Sequence, residues 1–250
     1  MNKYLKNLEK IEFVVTYACT GRCKHCSEGD HCGSGEHIDP MAAAEAVCKV
    51  AEHFDIKTVM TFGGEPLLYP EAVYSIMKAA KERNVPRRQV ITNGYFSKDD
   101  RRIKDVVSEL EKCGVNDLLL SLDAFHQETI PFEIVKKFAI EAKNAGIPIR
   151  IQPAWLVNRE HKNPYNEKTH ELIFEMKALG ITENEGNVIF PEGNALKYFG
   201  EYFVDSVPEN PYVDDPKNLK CLSFEPNGNI LGENIYRRDI LDIIKNYEGI

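Results

Sequence analysis

The sequence holds no stretch of 18 apolar residues, which excludes a helix long enough to cross a bilayer. Residues 1–10 carry no apolar run of the secretory type, so the chain is expected in the cytoplasm. For want of that apolar stretch no membrane partner is expected, and since lysine and arginine form no run and the net charge is −8, no nucleic-acid partner is expected either. Compositional bias is lacking too: 43% of residues are hydrophobic and 28% charged, and nothing reads as disorder. With 250 residues the chain can build one sizeable core. Seven cysteines in a reducing compartment are better suited to ligand or buried-thiol roles than to disulfides.

Three of those cysteines are concentrated early. Cys19, Cys23 and Cys26 follow an apolar, β-branched segment at a C-x3-C-x2-C spacing. Three thiolates on one short loop can hold three irons of a [4Fe–4S] cluster, leaving the fourth iron open to another molecule. Other readings of the same residues are a structural zinc site completed by His31 and His37, a disulfide with a spare thiol, and three unrelated buried thiols. Zinc sites usually take two cysteine pairs or a later His pair, and no second cysteine pair follows here.

Apolar runs alternate with segments of 3.6-residue periodicity. Strands are expected at 11–18, 58–63, 89–92, 117–122, 148–156 and 186–190. Helices are expected at 40–54 (Asp39 as N-cap), 70–83, 99–113, 131–145 and 167–179. Gly114, Gly146 and Gly180 stand just past helix ends. Six such steps point to an α/β fold, a partial (β/α)6 TIM-like barrel, whose reactive groups gather at the C-terminal rim of the strands. Residues 1–205 form this core. A C-terminal extension, 206–250, is expected to hold a hairpin at Asn227-Gly228 and a helix at 237–247.

A second motif, Thr61-Phe62-Gly63-Gly64-Glu65-Pro66, ends the second strand. Together with the cysteine loop it resembles the radical S-adenosylmethionine (SAM) superfamily, with His25 where an aromatic residue usually precedes the third cysteine. The resemblance implies one [4Fe–4S] cluster on Cys19, Cys23 and Cys26, with SAM chelated to the open iron. One electron then splits SAM into methionine and a 5′-deoxyadenosyl radical that takes hydrogen from a substrate. A reductant such as flavodoxin or ferredoxin is implied as partner.

Glycines at 63 and 64 permit close backbone approach, and Glu65 offers a carboxylate to the SAM ammonium group. Asn93 stands on the rim, where a turn or a SAM contact suits it. Ser121 and Asp123 alternate on the fourth strand, positions that bind SAM in similar enzymes. On the fifth strand Gln152 is assigned to SAM and Arg150 to an ion pair. His126 is a candidate for substrate contact or proton transfer, and Glu192 and Asn194 are weaker candidates of the same kind. Cys48 and Cys113 read as buried thiols. Cys32 either lines the substrate mouth or packs under the loop.

The tail around Cys221 resembles the start of the SPASM or twitch domain of peptide-modifying maturases, but no cysteine follows Cys221, so no auxiliary cluster is expected. The resemblance favours a peptide or protein substrate. A small-molecule substrate and a glycyl-radical-enzyme activase are the alternatives, and outside enzymes a structural zinc or iron–sulfur protein.

Overall fold

The computed structural model describes residues 2–29, 35–204 and 208–249; His31 and Cys32 lie outside the described residues. Seven strands build one all-parallel sheet. In chain order they begin with β1 (Lys10–Val14), β2 (Thr58–Phe62), β3 (Arg87–Thr92), β4 (Asp117–Ser121) and β5 (Ile149–Gln152). After β6 (Ala154–Trp155), which stands outside this sheet, come β7 (Thr182–Glu183), β8 (Asn187–Val188), also outside it, and β9 (Cys221–Phe224). Across the sheet the order is β7-β5-β4-β3-β2-β1-β9, an open partial barrel. Strands covered on both faces need continuous apolar residues, and β4 meets this with Leu118, Leu119 and Leu120.

The crossovers are helical. They are α1 (Pro40–His53), α2 (Pro70–Glu82), α3 (Asp100–Lys112) and, after a short α4 (Ala124–Gln127), α5 (Phe132–Asn144) and α6 (Pro164–Ala178). Helix α3 shows why the sequence chooses this state. Its buried residues Ile103, Val106, Val107 and Leu110 fall on one stripe turned into the core, and Asp99 caps it by accepting a hydrogen bond from Arg101 N. Asp39 caps α1 in the same way, through Met41 N and Ala42 N, as its sequence position suggests.

Three expected strands are corrected. The run 148–156 is split because Pro153 has no N–H for the ladder, so β5 stops at Gln152 and the remainder becomes β6. The expected strand 186–190 does not join the main sheet: only Asn187–Val188 is extended, and it pairs with β6. The sixth strand of the β/α series is Thr182–Glu183, parallel to β5. The first strand is shorter than expected, ending at Val14, with Thr16 bridging His37 instead.

At its far edge the sheet gains β9, which pairs parallel with β1 from Lys10↔Cys221 to Phe13↔Phe224. The rings of Phe13 and Phe224 stack at 4.6 Å. Asn227-Gly228 does turn the chain, with Gly228 at a φ of 83°. The ladder hairpin, however, is β10 (Asn229–Ile230) against β11 (Glu233–Asn234), reversed at Leu231-Gly232. Two helices complete the chain: α7 (Gly193–Phe199), not signalled by periodicity, and α8 (Ile240–Asn246), shorter than expected because the Asp239 side chain caps it at Leu241 N. Among the described residues no helix is long and apolar enough to cross a membrane.

Candidate functional site

The cysteine loop leaves β1 at the C-terminal rim and is held there by its neighbours' backbones. Gly64 N donates to Thr16 O and Glu65 N to Ala18 O, both at 2.8 Å. A Cβ on Gly64 would lie 2.2 Å from Ala18 O, and one on Gly63 would lie 2.5 Å from Thr16 O. Gly63 also adopts a φ of 140°, open mainly to glycine. The close approach these glycines permit is therefore to the polypeptide entering the cysteine loop.

From the other side α7 closes on the same loop. Asn194 is buried; its N–H donates to Cys26 O at 2.9 Å and its Nδ2 to Cys23 O at 3.4 Å. Gly193, at a φ of 52°, passes so near that a Cβ would meet Ser27 O at 2.2 Å. Beneath the loop, Arg22 N donates to Thr129 Oγ1 at 3.0 Å.

The three sulfurs each receive hydrogen-bond donors. Cys19 Sγ accepts from Gly21 N at 3.3 Å and from Asn93 Nδ2 at 3.6 Å. The Cys23 sulfur is met by the Thr129 hydroxyl, and that of Cys26 by the Glu28 and Gly29 N–H groups. Burial pushes the Cys19 thiol up to about 11 and raises Cys23 and Cys26 as well, and the charges of neighbouring cysteines add to the rise at Cys19 and Cys23. Such thiols become thiolates when a metal centre supplies the compensating positive charge. Donor set and sulfur-directed hydrogen-bond donors together fit a cluster.

Beside the thiols lies a carboxylate–imidazole group. Fully buried Asp123 caps α4: His126 N donates to its Oδ1 at 2.9 Å, and Ala154 N donates to its Oδ2 at 3.0 Å. Burial pushes this carboxyl upward, but the facing His126 outweighs it and holds Asp123 at about 2. The His25 ring stands edge-on to His126 at 4.7 Å. Its Nδ1 is buried without a hydrogen-bond partner, and burial lowers its pKa to about 4.

Glu65 is fully buried. Its Oε1 accepts from Leu67 N at 2.9 Å and Thr92 Oγ1 at 2.7 Å, and its Oε2 accepts from Asn93 N at 2.8 Å. Burial raises it to about 7 even against those donors. It thus ties the ends of β2 and β3 together next to the cysteine loop.

Elsewhere on the rim, Ser121 stands opposite Gln152 in the β4–β5 register, and Gln152 accepts from Asn184. Arg150 pairs with Asp117 at the first residue of β4, at the far end of the strand from the rim. Glu192 accepts from Asn210. Cys48 and Cys113 are half-buried against the core. Cys221 stands opposite Lys10, at the end of β1 away from the cysteine loop. Thr129 and Gly193 carried no sequence signal, since each acquires its role only through a contact between distant segments.

The profile of the radical SAM superfamily matches residues 13–182. The chain belongs to the radical SAM superfamily. Its curated relatives include a probable GTP 3′,8-cyclase of Saccharolobus islandicus (strain L.S.2.15 / Lassen #1), 26% identical over 223 residues, covering 81% of this chain and 67% of the relative. Among solved structures, native anSMEcpe with bound AdoMet superposes with a TM-score of 0.60 at 15% identity, over 97% of this chain and 81% of that one. SuiB of Streptococcus suis bound to S-adenosylmethionine gives 0.62 at 15% identity, over 97% and 66%. At these identities the structural likeness shows the fold. As a radical SAM enzyme the chain uses a [4Fe–4S] cluster and S-adenosylmethionine.

Proposed function

We propose that Cys19, Cys23 and Cys26 hold the cluster and that the enzyme acts on a small molecule. The convergence of sulfur-directed donors on these three thiols supports the first part. The second rests on sequence similarity to a probable GTP 3′,8-cyclase over 81% of the chain, which favours a small molecule over the peptide substrate suggested by the tail. When bound, the cluster and SAM supply an electron and a 5′-deoxyadenosyl radical.

The protein's own residues do the rest. The Gly63-Gly64 backbone fixes the loop that presents the thiols. His25, with an unpartnered buried Nδ1, and Ser121 and Gln152 on the rim offer polar atoms to SAM. Asp123 orients His126 through Nδ1 at 2.9 Å, which presents the opposite ring nitrogen as an acceptor for a substrate proton. A flavodoxin or ferredoxin would deliver the electron.

Anaerobic reconstitution followed by dithionite and SAM should yield four irons per chain, methionine and 5′-deoxyadenosine. Addition of GTP, or of the low-mass fraction of an anaerobic cell extract, should stimulate 5′-deoxyadenosine release. Stimulation by the protein fraction alone would return the substrate to the peptide class, and a colourless protein holding one zinc would reject the cluster.

A further inference from the structure

Asn93 occupies the position where the carboxylate of the Gly-Gly-Glu-Pro segment meets a cluster thiol. Its backbone N–H is fixed by Glu65 Oε2 at 2.8 Å, and its Oδ1 accepts from Tyr95 N at 2.8 Å. With the oxygen committed to that N–H, the amide nitrogen must point the other way. It donates to Cys19 Sγ at 3.6 Å and to Thr20 Oγ1 at 3.2 Å. The residue is only 3% exposed, so water does not screen the amide dipole.

We infer that Asn93 raises the reduction potential of the cluster and that Glu65 positions it to do so. The inference rests on Cys19 being a cluster ligand. A donor on a thiolate sulfur withdraws electron density and favours the reduced, more negative cluster. Gly21 N also donates to Cys19 Sγ, but as a backbone group it is present whatever the side chains; Asn93 is the side chain through which that sulfur is tuned. Glu65 holds Asn93 by its backbone, so the segment that anchors the cysteine loop also sets the direction of the amide.

The test is a potentiometric titration of the SAM-free reconstituted enzyme, followed by EPR of the reduced cluster. Asn93→Asp keeps an acceptor for Tyr95 N but replaces the amide donor with a carboxylate. Asn93→Ser keeps a hydroxyl acceptor and removes the amide. In each, the ratio of reduced to oxidised cluster at a fixed potential should fall about tenfold, a drop of about 59 mV for one electron. Asn227→Asp, in the distant turn after β9, should leave the midpoint unchanged. A wild-type midpoint in either Asn93 variant with four irons bound overturns the proposal and leaves Asn93 as a turn residue. If neither variant retains iron, pulsed EPR of the unaltered protein labelled with side-chain 15N-asparagine decides: a nitrogen coupling to the cluster is expected, and its absence rejects the inference. Failure of the wild type to bind four irons would instead reject the assignment of Cys19.

Discussion

Asp123 faces His126 with both carboxylate oxygens 2.9 Å from the ring Nδ1, while its Oδ2 also accepts Ala154 N. One buried carboxylate therefore caps α4, anchors β6 and orients the imidazole. Its pKa, about 2 against an ordinary 3.8, makes the native state favour the ionised form. The resulting stability, about 2 kcal/mol, is fully present above pH 4 and is lost as pH falls through 2. Asp123→Asn should cost about 1–3 kcal/mol at pH 7 and flatten the acid limb between pH 4 and 2. Urea unfolding at several pH values measures both, and an unchanged acid limb would remove Asp123 from this account.

Replacing any one of Cys19, Cys23 and Cys26 with Ala should abolish SAM cleavage and strip most of the iron, since each sulfur serves one centre. Cys221→Ala should keep the full iron content, because Cys221 lies at the other end of β1. Iron and sulfide assays on the four variants check the assignment; loss of half the iron from Cys221→Ala would place a second centre in the tail.

Gly64→Ala forces a methyl group against Ala18 O, a backbone carbonyl that also accepts from Glu65 N. The expected cost is about 1–3 kcal/mol, with poorer cluster retention because the strain falls on the loop entrance. Chemical unfolding beside iron analysis after desalting would show it; wild-type values in both would mean the backbone yields more easily than the packing implies.

Asn194→Ala removes the side-chain bond to Cys23 O but leaves the backbone bond to Cys26 O. The loop should keep its iron under nitrogen and lose it several-fold faster in air, with about 1 kcal/mol less stability. Bleaching of the cluster absorbance after air exposure gives the rate, and an unaltered rate would show that α7 merely rests on the loop.

The sheet was legible in the sequence where chemistry is local. Buried parallel strands such as Asp117–Ser121 need apolar runs, and Asp39 announces α1 through its cap. The thiols and the Gly-Gly-Glu segment were legible because their chemistry depends on spacing. Strand order near residues 182–188 was not, because Pro153 and Gly186 redirect the chain through their backbone properties rather than their polarity. Glu65 read as a ligand for SAM from its motif alone, whereas its three internal donors depend on β3 lying beside β2. The bond from Asn194 to the cysteine loop spans 171 positions, a distance no local pattern encodes.

The pairing of β9 with β1 joins the beginning of the sheet to a strand that leaves the ribosome long after it. Until residues 221–224 emerge, β1 presents an unpaired edge and Phe13 lacks its stacking partner. The cysteine loop hangs from the other end of that same strand, so iron loading before synthesis finishes would act on a sheet that still lacks its last strand. Completion of this far contact is a long-range step in folding, and it moves the open edge of the sheet from β1 to the shorter β9.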